Sequence, residues 1–129
     1  MTSKPILCIV IPCYNEEKVL PITSEMFLEE LNLLIAKDKI SENSRILFVN
    51  DGSKDKTQEE LEKVYNLREA NVVIEMFSRN FGKEAAIYAG FQKASGDMVT
   101  VIDADLQQRP EIVVKMVKIL LENEEYDCV

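Results

Sequence analysis

Three oxygen-bearing side chains stand at alternate positions in Asp103-Ala104-Asp105-Leu106-Gln107. In extended backbone, residues i, i+2 and i+4 point to one side, so two carboxylates and an amide would share a face. That donor set suits a hard cation such as Mg²⁺ or Mn²⁺, which keeps coordination positions open for substrate phosphates. A solvated strand end, with Asp105 capping the next helix, would use the same residues, and the spacing alone decides neither. A second cluster, Asp51-Gly52-Ser53-Lys54-Asp55-Lys56-Thr57 with Glu62 at the twelfth position, superficially imitates an EF-hand loop. The sixth position of such a loop requires Gly and holds Lys56, and a strand leads into it where a helix should. Asp51 reads instead as a turn residue, and Ser53 or Asp55 as a helix N-cap. Gly82-Lys83 is no P-loop, because Phe77 occupies the place of the required earlier glycine. Tyr14 offers a ring for stacking on a base, and Lys83 a cation for phosphate.

The elements that must position these groups follow a simple alternation. Ile6 to Ile11 is a continuous apolar run, as in a strand buried on both faces. A helix over about 17–37 follows, with its apolar stripe on Leu20, Met26/Phe27, Leu31 and Leu34/Ile35. Ile46 to Val49 is the second strand, and a helix anchored by Leu61, Val64 and Tyr65 runs to about Arg68. Val72 to Phe77 is the third strand. The helix from about Lys83 to Ala94 carries a small-residue face of Ala86, Gly90 and Ala94 that would let it lie close to a sheet. Met98 to Ile102 is the fourth strand, and Pro110 opens a last helix with Ile112, Val113, Met116, Val117, Leu120 and Leu121 apolar. Strand, helix, strand in this rhythm predicts an α/β doubly wound, mainly parallel sheet. In such sheets ligands bind at the carboxyl ends of the strands, which is where the polar clusters fall. Tyr126-Asp127-Cys128-Val129 reads as the onset of a fifth strand, so residues 1–129 are expected to be the front part of a longer protein.

Composition narrows the chemistry. The 129 residues are 47% hydrophobic and 29% charged, an ordinary globular balance that excludes disorder. Lys plus Arg number 15 against 23 Asp plus Glu, a net −8 that argues against a nucleic-acid partner. A nucleotide bound by so acidic a chain would need a mediating metal cation. No His is present, which removes His-based acid/base catalysis and Ser-His-Asp triads. Cys8, Cys13 and Cys128 have no CxxC spacing and fit reduced thiols. No apolar run reaches the ~20 residues of a membrane span, and the run ending before Pro12 is too short for a signal peptide. On these grounds the chain is expected to be cytoplasmic.

Four clusters in order resemble the N-terminal half of family-2 glycosyltransferases with the GT-A fold. They are Ile9-Val10-Ile11-Pro12-Cys13-Tyr14-Asn15-Glu16, Val49 to Thr57, Asn80-Phe81-Gly82-Lys83, and Asp103 to Gln107. Each is weak alone; the ordered set covers nearly the whole chain. The last run, with Pro110-Glu111, is most similar to the polyprenyl-phosphate sugar transferases of the dolichol-phosphate mannose synthase and bactoprenol glucosyltransferase type. The resemblance implies a UDP- or GDP-linked sugar donor, a polyprenyl-phosphate acceptor at the cytoplasmic membrane face, and an inverting, metal-dependent transfer. It implies that Pro12, Tyr14 and Glu16 border the base and ribose and that Asp51 hydrogen-bonds the base. Lys83 would lie near the nucleotide and Asp103 near its ribose, while Asp105 and Gln107 would hold Mg²⁺ or Mn²⁺. Asn50 departs from the Asp that many members carry, and Gln108-Arg109 from the usual Asp-Pro. No catalytic base is assigned within these residues; the acceptor side is expected after Val129. A receiver-like signalling domain with Asp51 as phosphoacceptor is the alternative. That fold wants an acidic pair after strand one and its acceptor after strand three, whereas Asp51 follows strand two.

Overall fold

The computed structural model describes residues 4–94, 96–105, 111–123, 125 and 128. Gln107, the start of the last helix at Pro110, and the suggested strand onset at 126–129 lie outside the described residues, Cys128 excepted.

Strand β1 (Leu7–Cys13) is buried along nearly its whole length, as its unbroken apolar run requires of a strand covered on both faces. It pairs in parallel with β2 (Arg45–Asn50) on one side and with β4 (Met98–Val101) on the other, while β3 (Val72–Met76) pairs in parallel with β2. The order is β3-β2-β1-β4. The chain therefore steps outward twice from β1 and then crosses back past it to β4.

That reversal sorts the helices. Helices α1 (Leu20–Ala36) and α2 (Thr57–Leu67) follow steps in one direction, and their apolar residues join Leu7, Ile9 and Ile11 in one core. Helix α3 (Lys83–Lys93) follows the step in the opposite direction. A crossover of constant right hand must then pass over the other face, where Ala86 meets Cys8, Val10, Leu47 and Val49. Helix α4 (Glu111–Glu122) returns to the α1 face through Val113 and Val117. Three helices thus share one face and α3 holds the other, a less even division than a regular doubly wound sheet.

Several expectations shift in detail. Residues 17–19 form a turn, and α1 begins at Leu20 with Pro21 in its first turn, where a missing N–H costs nothing. Tyr65 is 40% exposed and does not anchor α2, a task left to Leu61 and Val64. Ile112 and Leu121 likewise face outward. Strand β1 also runs two residues further than its apolar run, through Pro12. On that strand the carbonyls of Ile6 and Val10 face β4, and so Pro12 does too. The last ladder bond to β4 runs from Ile102 N to Val10 O at 3.0 Å, and the next would require an N–H that Pro12 lacks. The two strands part there.

The small-residue face of α3 has a geometric cause. A Cβ on Gly90 would sit 2.4 Å from Val10 Cγ1. Gly90→Ala is expected to destabilise the fold by about 1–3 kcal/mol through overpacking. A denaturant double-mutant cycle with Val10→Ala should recover part of that loss, and additive costs would remove the close approach as its cause.

Candidate functional site

The loops after β1, β2 and β3 leave the sheet at one edge, and their backbone N–H groups lose ladder partners there. Side chains of neighbouring loops replace them. The Asn15 N–H donates to Ser53 Oγ at 2.9 Å, and the Lys54 N–H donates back to Asn15 Oδ1 at 2.9 Å. The Glu16 N–H reaches Thr57 Oγ1 at 2.8 Å, and the Glu17 N–H reaches Asp55 Oδ2 at 3.2 Å. Asn15 holds this crossing in the left-handed region, at φ 53°, a conformation Asn tolerates better than most residues. Asp55 accepts the Thr57 N–H as well, so it does serve the start of α2, but it also ties α2 to the β1–α1 turn. Ser53 caps no helix and spends its hydroxyl on Asn15.

Asp51 does the same work for the third loop. Only 3% exposed, its carboxylate accepts the Phe81 N–H at 2.8 Å, the Gly82 N–H at 3.1 Å and Asn80 Nδ2 at 3.0 Å. A negative charge at the amino end of α3 is also favoured by the helix dipole. A buried carboxylate already holding three donors is ill suited to a phosphoacceptor, against the signalling alternative. Gly52 makes the contact sterically feasible. At φ 64° it lies against the Arg79 backbone, where a Cβ would fall 2.1 Å from the carbonyl carbon.

Between these loops and the residues that follow β4 lies a cleft of about 350 Å³. Seven of the eight residues singled out from the sequence line it: Pro12, Tyr14, Glu16, Asp51, Lys83, Asp103 and Asp105. Gln107 is the eighth and lies outside the described residues. Asn80, Gly82, Ala86 and Ala104 also line it; the sequence reading placed Asn80 in its third cluster without a site role and Ala86 only on a packing face. The Asn80-Phe81-Gly82 turn was the available signal. Cys13 also lines the cleft, but burial, and then the charge of Glu16, push its thiol far above the usual range, which disfavours the thiolate.

The charges in the cleft are unevenly matched. Lys83 Nζ pairs with Asp103 Oδ1 at 2.5 Å. The Glu16 carboxyl is pushed above its ordinary value, first by burial and then by the negative charges of Asp105, Asp55 and Asp103. Asp55 moves the other way: burial raises its carboxyl, but hydrogen bonds from Thr57 and Glu17 outweigh it and hold the group below the usual range.

The family model described as Glycosyl transferase family 2 matches residues 8–129, reaching all four strands of this sheet. The chain belongs to glycosyltransferase family 2. Among curated family relatives, the Bacillus subtilis glycosyltransferase YkcC is 44% identical over 110 residues, covering 85% of this chain and 32% of that protein. The undecaprenyl-phosphate 4-deoxy-4-formamido-L-arabinose transferase of Pectobacterium atrosepticum is 40% identical over the same shares. The chain thus spans about a third of the length of these relatives. Of solved structures, S. aureus TarS 1-349 superposes with a TM-score of 0.68 at 22% identity, covering 92% of this chain and 33% of that one. Mannosyltransferase PcManGT from Pyrobaculum calidifontis, in complex with GDP-Man and Mn2+, superposes with a TM-score of 0.67 at 21% identity over equal shares. The likeness establishes the GT-A type fold that the motifs led one to expect.

Glu16 gives a pH test of the cleft. A carboxyl raised in the folded state contributes stability that is full below its unfolded pKa and is lost as pH rises through the folded one. Glu16→Gln cannot titrate. Its melting temperature should exceed wild type at pH 7, and the difference should vanish on acidification below the ordinary glutamate range. Thermal melts across pH check this, and a constant offset would show that Glu16 does not feel its acidic neighbours.

Proposed function

We propose that these residues form the donor-binding part of an enzyme that transfers a sugar, with inversion, from a UDP- or GDP-linked donor to polyprenyl phosphate. The observation that carries this reading is the single cleft that gathers Tyr14, Glu16, Asp51, Lys83, Asp103 and Asp105 at the carboxyl edge of the sheet. Pro12, Tyr14 and Glu16 border the base and ribose, with the 40% exposed Tyr14 ring available for stacking. Asp51 keeps acceptor capacity for a base N–H, since three donors do not exhaust two carboxylate oxygens. Lys83 meets the diphosphate, which competes with Asp103 for its ammonium, and Asp103 is then released toward the ribose hydroxyls.

The donor set fits a divalent cation. Glu16 from one side, and Asp103 and Asp105 from the other, bring hard oxygen ligands and mutually repelling charge to the cleft, with Lys83 offsetting only part of it. Among the described residues no three acidic, His or Cys side chains are grouped to cage an ion. The reading therefore gives Asp105 and Gln107 to Mg²⁺ or Mn²⁺, with donor phosphates completing the shell. When bound, that cation neutralises charge on the departing nucleoside diphosphate as a Lewis acid. A phosphate acceptor is already anionic and needs no strong base from this part of the protein. The relative named as an undecaprenyl-phosphate transferase supports the acceptor class, and the solved mannosyltransferase with GDP-Man and Mn2+ supports donor and metal. Among the described residues no helix is long and apolar enough to cross a membrane. Work at the cytoplasmic face of the membrane is part of the proposal.

Calorimetric titration with UDP and GDP, with and without Mn²⁺, tests it. Saturable binding that requires the metal is expected. Asp105→Asn keeps shape but removes charge, and should weaken metal-dependent binding at least tenfold while the melting temperature without ligand stays near wild type. Asp38→Asn, on an exposed residue after α1 paired with Lys4, is the control and should bind normally. Metal-independent binding, or equal binding by Asp105→Asn, would remove the metal site.

A further inference from the structure

Two side chains that stand outside the cleft hold one of its walls. Thr57 is fully buried at the first position of α2, a helix anchored by Leu61 and Val64. Its Oγ1 donates to Asp55 Oδ1 at 2.5 Å and accepts the Glu16 N–H at 2.8 Å. The polarity of this chain is forced, because an ionised carboxylate only accepts and a hydroxyl has a single proton. Asp55 Oδ2 then takes the next N–H along, that of Glu17. The Glu16 carbonyl in turn accepts the N–H groups of Val19 and Leu20, where α1 begins. Two successive backbone groups of the β1–α1 turn are thus pinned by residues 41 and 38 positions away. The pinned segment carries Tyr14 and Glu16 into the cleft, whereas neither Asp55 nor Thr57 lines it.

We propose that Asp55 and Thr57 are positioning residues: through Thr57 Oγ1 they set the backbone of Glu16, and so the Tyr14-to-Glu16 wall of the cleft, without touching a ligand. The consequence for affinity rests on the donor-binding reading above; the pinning itself does not. Thr57→Val keeps the buried shape and deletes both hydrogen bonds of the hydroxyl, leaving the Glu16 N–H without its acceptor. Thr57→Ser restores the hydroxyl. Asp55→Asn cannot serve all three donors, because its amide nitrogen would confront an N–H with another donor.

The test uses the full chain with Mn²⁺ and UDP or GDP, and amide hydrogen exchange at Glu16 and Glu17. Leu34→Ala, buried in the part of α1 remote from the cleft, supplies a general loss of stability for comparison. Thr57→Val should weaken nucleotide binding about tenfold and speed exchange at Glu16 and Glu17, with Thr57→Ser reversing both. Leu34→Ala should lower the melting temperature and leave affinity and those two amides alone. Unchanged affinity in Thr57→Val despite a freed Glu16 amide would overturn the proposal, as would a Glu16 amide that stays protected. If wild type binds neither nucleotide, the donor reading falls and exchange alone decides. Glu16 and Glu17 amides that open in Thr57→Val but not in Leu34→Ala, and close again in Thr57→Ser, sustain the pin; any other pattern ends it.

Discussion

Asp51 sits almost wholly out of water at the end of β2, and its charge is tolerable only because the β3–α3 loop brings three donors to it. Neither partner is stable in that place alone. The loop lacks ladder partners for its N–H groups, and the carboxylate lacks solvent. Their mutual need fixes where α3 starts, and therefore where Lys83 projects. It also explains the glycine beside it, since only a residue without Cβ lets the Arg79 backbone come so near. One carboxylate thus couples the second polar cluster of the sequence to the third.

The same logic, with neutral groups beside the Asp55 carboxylate, joins the first cluster to the second. Hydroxyl and amide oxygens of Ser53, Thr57 and Asn15 stand in for the ladder that β1 and β2 have just left. Three loops become a single wall built on parallel strands of fixed spacing. Glu16 stands on this wall with its carboxyl raised, first by burial and then by the charges of Asp105, Asp55 and Asp103.

Sequence periodicity was a sound guide where burial decides structure. The unbroken run of β1, the stripe on α1 and the small face of α3 each reflect a single physical demand, so each was legible. Tyr65 failed because an amphipathic period marks a face without saying how far the neighbouring helix covers it. The cleft residues were legible as types at strand ends. Their interlock was not. Asp55 reads as a local cap, and its reach to Glu17 exists only because β1 and β2 lie side by side. Asp51 reads as a turn residue for the same reason, since its donors come from a loop after the next strand. Hydrogen bonds between loops depend on strand order, which no local pattern carries.

Pro12 has a consequence beyond ending a ladder. Without its N–H, the ladder between β1 and β4 stops at Val10, and Asp103 to Asp105 line the cleft just beyond. The point at which the two strands part is therefore set by covalent structure. A ligand entering there need not pry β1 and β4 apart. The cleft is preorganised on this side, so binding energy otherwise spent on opening the sheet is retained as affinity.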